Sequence, residues 1–117
     1  RMANLFLFYI NIKPLSVNQA WQGQRYKTHA YKKFEHDLIL MLPLGRYVFD
    51  SKTKLAVKYR FGFSNKLCDL ANPEKLVTDI LVKKYGFDDR QIYIMQLEKV
   101  IVKKGLEFIE IDIEEII

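Results

Sequence analysis

The clearest pattern in the chain is a run of alternating hydrophobic and polar residues at positions 54–63. Hydrophobic residues stand at every second position, and Lys54, Lys58 and Arg60 stand between them. This two-residue period predicts a β-strand with one face in the core and the other towards water or a polyanion. The run at 4–12 is apolar and β-rich throughout, and it predicts a buried strand.

Two more strands are predicted near the end of the sequence, at 91–102 and 106–113. The residues between them favour a turn, so we expect the two strands to pair as a hairpin, with Ile109, Ile111 and Ile113 facing inward. An exposed edge strand in this hairpin could also pair with a second subunit.

Two segments show the three- and four-residue spacing of helices. In 30–42 the apolar stripe consists of Tyr31, Phe34, Leu38 and Met41 or Leu42, and Pro43 ends the helix. In the second helix the stripe consists of Leu76, Val77, Ile80 and Leu81. Asn72 is the expected N-cap of this helix, Pro73 its first residue and Gly86 the glycine after its end.

The order of the elements is strand, long loop, helix, strand, helix, strand, strand. Alternation of this kind predicts a mixed α/β (α+β) fold, in which a mixed sheet carries two packed helices. The 117 residues suffice for one domain, 1–117. The loop from Lys13 to His29 is long for a compact domain, which favours a functional role for it.

The net charge of +5 is unevenly distributed. Residues 1–66 hold 12 Lys/Arg and 3 Asp/Glu, a balance of +9, and residues 67–117 hold 7 Lys/Arg and 11 Asp/Glu, a balance of −4. A basic half beside an acidic half favours a protein that binds a polyanion. Charged residues scattered unevenly over the surface would give the same charge balances. No apolar run has the length of a membrane span. The single cysteine, Cys68, excludes an internal disulfide, so we expect a cytoplasmic protein without membrane contact.

Acidic residues gather around the second predicted helix. Asp69 precedes it, Lys75 and Asp79 share one face of it, and Asp88 and Asp89 follow it. Converging carboxylates are suited to Mg²⁺ or Mn²⁺, which can activate water against a phosphodiester. The same residues are also consistent with a helix cap, a surface ion pair and a solvated turn.

The ordered set resembles the RusA family of Holliday junction resolvases. The family pattern is Asp-x-Asp-Asn-x-x-Lys-x-x-x-Asp, followed by an Asp-Asp pair after a glycine-ended helix. Asp69, Asn72, Lys75, Asp79 and Asp88-Asp89 fit this pattern in order and spacing. The stretches "KPLSVNQAW" and "YKTHAYKKFEHDL" also look like the family's N-terminal segment and first helix.

The resemblance implies a homodimeric endonuclease that depends on Mg²⁺ (or Mn²⁺) and acts on four-way DNA junctions. Asp69 and Asp89 would be its essential acids, and Lys75 would be a supporting base or phosphate contact. Asp79 and Asp88 would complete the metal ligands. A two-fold dimer would supply the two sites that two symmetric nicks require.

The sequence departs from the family pattern at Ala71, where the family has its second aspartate. Either alanine is natural here or an aspartate has been replaced. Because Arg1 precedes Met2, we expect that the chain carries an added residue, which makes a replacement conceivable. In both cases the metal site is expected to lack one ligand, and cleavage is expected to be impaired.

The basic residues of the first half are the predicted DNA contacts. Arg25, Lys27, Lys32 and Lys33 stand among the aromatic residues Trp21, Tyr26 and Tyr31, a composition that suits phosphate binding and base stacking. Asn18 belongs to the N-terminal segment of the resemblance and is also expected at DNA, while Lys58 and Arg60 are weaker candidates. Alternatively, the aromatic residues are core and the lysines only aid solubility.

Three functions therefore remain open at the level of sequence. The first is a junction endonuclease, and the second is a junction-binding protein without turnover. The third is a basic α/β interaction module whose acids have no catalytic role. Metal-dependent nicking of a synthetic junction separates the first from the second, and lack of preference for junctions over duplex favours the third.

Overall fold

The computed structural model describes residues 2–16, 20–22, 26–44, 50–68 and 73–117. A mixed four-stranded sheet carries two helices, which confirms the predicted α+β class. The elements in chain order are β1 (Met2–Ile10), β2 (Trp21–Gln22), β3 (Tyr26–Lys27), α1 (His29–Met41), β4 (Lys54–Phe63), α2 (Glu74–Tyr85), a 3₁₀ turn (Asp89–Gln91), β5 (Ile92–Ile101) and β6 (Phe108–Ile116).

The strand order in the sheet is β1-β6-β4-β5. Strands β4 and β5 run parallel, with α2 as the connection between them, and β6 is antiparallel to both β1 and β4. The small pair β2-β3 lies within the segment that the sequence predicts as one long loop.

The predicted hairpin between the last two strands is wrong, because β6 pairs with β4 and β1 instead of β5. Charge complementarity favours the observed pairing. Glu110 and Asp112 of β6 lie opposite Arg60 and Lys58 of β4. Of the two strands of the predicted hairpin, β6 is an inner strand and β5 is an edge of the sheet; the other edge is β1.

Both helices contribute to a core on one face of the sheet. The predicted inward residues of β4 and β6 are buried, and so are the predicted stripes of the helices, except that Met41 is exposed and Leu42 is buried. Periodicity therefore identified this part of the core correctly. The prediction of a buried strand at 4–12 is wrong, because β1 is an edge strand in which only Phe6 and Ile10 are buried, while Leu7 is 62% exposed. The largest fully buried side chains are Tyr31, Tyr59, Phe61, Leu38, Leu42, Leu55, Leu76, Ile80, Leu81, Ile109, Ile111 and Ile113.

The ends of the helices are fixed by specific contacts. The Thr28 hydroxyl accepts a hydrogen bond from the Tyr31 amide and caps α1. At the other end of α1, the Lys84 ammonium of α2 donates to the carbonyls of Ile39 and Leu42. Helix α2 begins one residue later than predicted, with Pro73 at its cap position, and the predicted N-cap Asn72 lies outside the described residues.

The opposite face of the sheet carries charged side chains. Arg60 of β4 contacts Glu98 at 3.4 Å and Glu110 at 3.3 Å, and Lys58 contacts Glu98 at 3.5 Å. Asn4 donates to Asp112 across the β1-β6 pair. We refer to this side as the open face. In the part of the chain that the structure describes, neither helix is long and apolar enough to cross a membrane.

Candidate functional site

The candidate site lies where α2 ends and the chain turns into β5. Gly86 takes a left-handed conformation (φ 79°) that suits glycine, and its amide donates to the Val82 carbonyl, which ends the helix. Phe87 is buried and anchors the turn. The chain is thereby directed back along α2, and the acids after the helix come close to residues in its first half.

Helix α2 is oriented by a buried polar contact. The hydroxyls of Thr78 and Tyr59 are 2.9 Å apart, and Thr78 also donates to the Glu74 carboxylate at 3.0 Å. Burial raises the pKa of Tyr59, so its hydroxyl keeps its proton. Lys75 and Asp79 lie away from the buried stripe of α2, which includes Val77 and Ile80, and are exposed.

Lys75 joins two of the predicted acids. Its ammonium lies 3.1 Å from an Asp79 carboxylate oxygen and 3.8 Å from an Asp89 carboxylate oxygen. All three side chains are at least 40% exposed. The hydrogen bond to Asp79, the charge of Asp79 and then the charge of Asp89 raise the pKa of Lys75, so this group is a cation. Two carboxylates therefore converge on one positive charge.

Asp88 has a different contact. Its carboxylate accepts hydrogen bonds from the Arg90 guanidinium, the shortest at 2.8 Å, and from the Arg90 amide. The guanidinium bonds, followed by the amide bond, lower the pKa of Asp88 to about 2. Asp88 also caps the 3₁₀ turn together with Gln91. Its carboxylate is thus bound to Arg90 and not to Lys75.

A concave surface of about 500 Å³ has Asp79, Asp88 and Asp89 in its lining. Carboxylate oxygens are the donors that Mg²⁺ and Mn²⁺ prefer, so the chemistry of this lining suits such an ion. Among the described residues, no three Asp, Glu, His or Cys side chains form a ready metal-binding group. Asp69 and Ala71 lie outside the described residues.

The predicted DNA contacts fall into separate regions. Lys32 and Lys33 are exposed on the first turns of α1, and no ion pair joins either to another described residue. Lys27 instead contacts Glu35 at 2.9 Å. Asn18 and Arg25 are outside the described part of the chain.

The start of α1 lies near the acidic cluster. Burial, and then the charges of Asp79 and Glu35, raise the pKa of Tyr31 to about 12. Helix α1, which carries the exposed Lys32 and Lys33, packs on the same face of the sheet as α2, and Glu35 of α1 contacts Lys83 of α2 at 3.1 Å. Lys58 and Arg60 instead lie on the open face and are paired with acids there.

Sequence analysis missed two residues with notable contacts. Glu35 is 14% exposed and binds both Lys27 and Lys83, so it connects β3, α1 and α2. No periodicity indicates this role. Lys99 donates to the carbonyls of Lys66 and Cys68. The sequence did contain a signal for Lys99. Lys99 lies two residues after Leu97 in β5, so it belongs to the same face of the sheet as Leu97, which packs against the core.

A second concave surface lies beside the loop that precedes α2. Its volume is about 440 Å³, and it lies between Lys13 to Ser16 and the residues that follow β4, with Cys68 and Pro73 in its lining. Those two residues flank the segment 69–72 in the sequence.

Comparison with known proteins gave no relative from which chemistry could be transferred. No family model matches the chain, and a search of curated proteins found no match. The chemistry of the site therefore follows from its own side chains. These comprise two converging carboxylates, one lysine between them, and exposed lysines on α1 that have no ion pair with another described residue.

Proposed function

We propose that this protein is a structure-selective endonuclease that nicks four-way DNA junctions in recombination and repair, as the resemblance to the RusA family implies. The observation that carries the proposal is the position of Lys75 between Asp79 and Asp89. The resemblance assigns all three to one active site, and they are 4 to 14 residues apart in the sequence. Their convergence supports that assignment.

The proposal includes Mg²⁺ or Mn²⁺ as cofactor. Asp79 and Asp89 would hold the ion, together with Asp69 as the sequence pattern expects, and Asp88 would join them only if it left Arg90. When bound, such an ion supplies positive charge to the phosphodiester and activates water. The donor set fits, since Mg²⁺ commonly uses one or two protein carboxylates and retains several waters.

Lys75 has two possible roles in this proposal, base or phosphate contact, and its environment favours the second. Its pKa is raised by Asp79 and Asp89, so it holds its proton at neutral pH. A protonated lysine cannot accept a proton from water. It can donate hydrogen bonds to a phosphate oxygen and stabilise negative charge that develops there.

DNA would contact the exposed lysines near the start of α1. Lys32 and Lys33 are not neutralised by other described residues, and unpaired cations give salt-dependent binding to phosphates. Lys27, Asn18 and Arg25 are proposed as further contacts, and Lys58 and Arg60 are the weakest because acids already pair with them. A homodimer in the cytoplasm completes the proposal, with one site for each nicked strand.

Junction binding without turnover is the alternative, and Ala71 favours it. The family pattern places a carboxylate at this position, and its absence would remove one anionic ligand from the ion. Binding by the basic residues would remain.

The decisive experiment compares this chain with its Ala71→Asp variant on a labelled four-way junction. We expect both to bind the junction with similar affinity in Ca²⁺, measured by gel shift. In Mg²⁺ or Mn²⁺ we expect strand cleavage to be weak or absent for this chain and to rise about 10- to 100-fold for Ala71→Asp, since the loss of even a group that orients a metal ligand typically costs that much.

Two further variants, both in the Ala71→Asp background, make the test specific. Asp89→Asn should abolish the restored cleavage, whereas Asp112→Asn, on the open face, should leave it unchanged. Two results would refute this placement of the metal site. One is rapid cleavage by the unmodified chain, and the other is a lack of cleavage by the Ala71→Asp variant although it still binds the junction.

A further inference from the structure

Two turns of the chain meet at the end of the sheet where β4 and β5 begin. Because these strands are parallel neighbours, the turn before β4 and the turn before β5 lie at the same end of the sheet. The Gln91 side-chain amide donates to the carbonyls of Asp50 at 2.8 Å and Thr53 at 3.0 Å. Its side-chain oxygen accepts from the Asp88 amide at 3.0 Å. Gln91 is 8% exposed, so a buried and hydrogen-bonded side chain fixes one turn against the other.

The two turns form a concave surface of about 550 Å³, which we call the basic surface. Among the described residues, its lining holds one acid, Asp88, and three cations, Lys52, Lys54 and Arg90. Lys52 and Lys54 are exposed, and neither has an ion pair with another described residue. The Lys54 ammonium lies 5.2 Å from the centre of the Tyr93 ring, a contact that orients the charge without neutralising it. Arg90, in contrast, is bound to Asp88 at 2.8 Å, so the two lysines are the cations that remain available to an anion.

The basic surface adjoins the acidic concave surface of the candidate site. Ser51, Asp88 and Gln91 line both of them, and the acidic surface adds Asp79 and Asp89. Carboxylates repel a polyanion, so a nucleic acid strand that reaches them needs positive charge close by. The basic surface supplies this charge directly beside the carboxylates, and the buried link through Gln91 holds it there.

We propose that Lys52 and Lys54 bind the phosphate backbone of a DNA strand that passes the candidate site. This inference rests on the proposed function and adds a second contact surface to the lysines of α1. Exposed ammonium groups attract phosphates, and phosphate contacts fix the position of a strand without reading its sequence. Arg90 becomes a third phosphate contact when the charge of Asp88 is removed.

The test measures binding of this chain to a fluorescein-labelled four-way junction in Ca²⁺, by fluorescence anisotropy at increasing KCl concentration. Combining Lys52→Gln with Lys54→Gln should reduce the slope of log affinity against log salt by about 0.9 for each lost phosphate contact. At about 0.1 M salt, the affinity should fall about 10- to 100-fold. The loss should be the same for junctions of different sequence, because the backbone carries no sequence information.

The matched control combines Lys103→Gln with Lys104→Gln and changes the net charge by the same amount. These lysines follow β5, at the other end of that ten-residue strand. The strand spans roughly 30 Å, about three Debye lengths at 0.1 M salt, so junction affinity should change less than about twofold. All four lysines are exposed, so both double variants should unfold at the temperature of the parent.

Asp88→Asn should have the opposite effect on binding. Asparagine can still accept the Arg90 amide and cap the 3₁₀ turn, but it no longer neutralises the Arg90 guanidinium. Junction affinity in Ca²⁺ should therefore rise about three- to tenfold, and the salt slope should increase by up to about 0.9, the value of one added contact. Asp112→Asn, which removes an acid from the open face, should leave both quantities unchanged.

Three results would overturn the inference. The first is a Lys52→Gln, Lys54→Gln variant that binds the junction as the parent does, and the second is a loss no larger than that of the control pair. The third is unchanged or weaker binding by Asp88→Asn, because removing an acid from a surface that holds phosphates must tighten binding. Failure of the proposed function looks different: the parent chain, with both lysines intact, would not bind the junction even at low salt, and Ala71→Asp would not cut it.

Discussion

The two faces of the sheet use the same strands for different purposes. On the face covered by the helices, Ile111 and Tyr59 are completely buried, and the packing of apolar shapes determines stability. On the open face, Arg60 lies between Glu98 and Glu110, and opposite charges pair across neighbouring strands. One face therefore supplies most of the stability, while the other helps to specify the pairing.

The comparison also separates structural charge from charge that is free for a ligand. Lys58 and Arg60 on the open face are paired with acids of neighbouring strands, whereas Lys32 and Lys33 on α1 have no ion pair among the described residues. A count of basic residues in the sequence cannot make this distinction. This distinction between paired and unpaired cations is the reason why we propose the DNA surface on the side of the sheet that carries the helices.

The two faces should differ most in the loss of stability that follows substitution of two adjacent residues of β6. Ile111→Ala is expected to reduce the free energy of unfolding by about 2–5 kcal/mol, because it leaves a cavity in the core. Asp112→Ala, on the open face, should cost less than about 1 kcal/mol. Urea denaturation of both variants measures the difference, and similar losses would mean that the open face is packed as tightly as the core.

A second prediction concerns a close approach of Gly62 to a neighbouring ring on the open face. At Gly62 an added Cβ would lie 2.3 Å from a carbon of the Phe108 ring. That ring is itself stacked on Tyr9, with ring centres 4.7 Å apart. Gly62→Ala should therefore cost about 1–3 kcal/mol through overpacking.

A double variant tests this explanation. Adding Phe108→Ala removes the obstructing ring, so Gly62→Ala should be nearly harmless in that background, as thermal or urea unfolding would show. Strictly additive losses would indicate that the backbone conformation of Gly62, rather than the Phe108 ring, limits the position.

The smallest loss of stability is expected from removing the charge of Glu35, which forms ion pairs on the side of the sheet that carries the helices. Burial acts to raise the pKa of Glu35, but the hydrogen bonds and charges of Lys27 and Lys83 outweigh it, and the pKa is lowered. A lowered folded-state pKa stabilises the protein above the unfolded value, about 4.3, and the benefit is lost as the pH falls through the folded value.

Glu35→Gln should therefore cost about 1 kcal/mol at pH 7, and the difference from the parent should shrink as the pH drops below about 4.3. Denaturation curves between pH 7 and the acid limit of folding provide the measurement. Glu98→Gln, an exposed partner on the open face, serves as the control and should change stability less. A constant cost of Glu35→Gln at every pH would exclude the ionic explanation.

The sequence predicted the elements well where a pattern is long and local. The bounds 54–63 of β4 are those of the structure, because ten residues of alternation leave no other choice. The partner of β6 was not predictable in this way, since Ile109, Ile111 and Ile113 would bury equally well in a hairpin with β5. The contact between Arg60 and Glu110 joins residues 50 positions apart.

The candidate site was predictable only in part, for a similar reason. Helical spacing placed Lys75 beside Asp79, and the turn at Gly86 returns Asp89 to them. The engagement of Asp88 by Arg90 was not predictable, because a carboxylate two residues from an arginine either binds it or turns away from it. Asp69 remains a prediction outside the described residues.

The central position of β6 has a consequence for how the chain acquires its structure. Strand β6 is the last element in the sequence, yet it joins β1 to β4, so the contacts that close the sheet span most of the chain. During synthesis, β1 has no neighbour to pair with until residues 108–116 have left the ribosome, whereas β4, α2 and β5 can assemble earlier. Such non-local pairing slows folding and leaves strand edges exposed in the meantime.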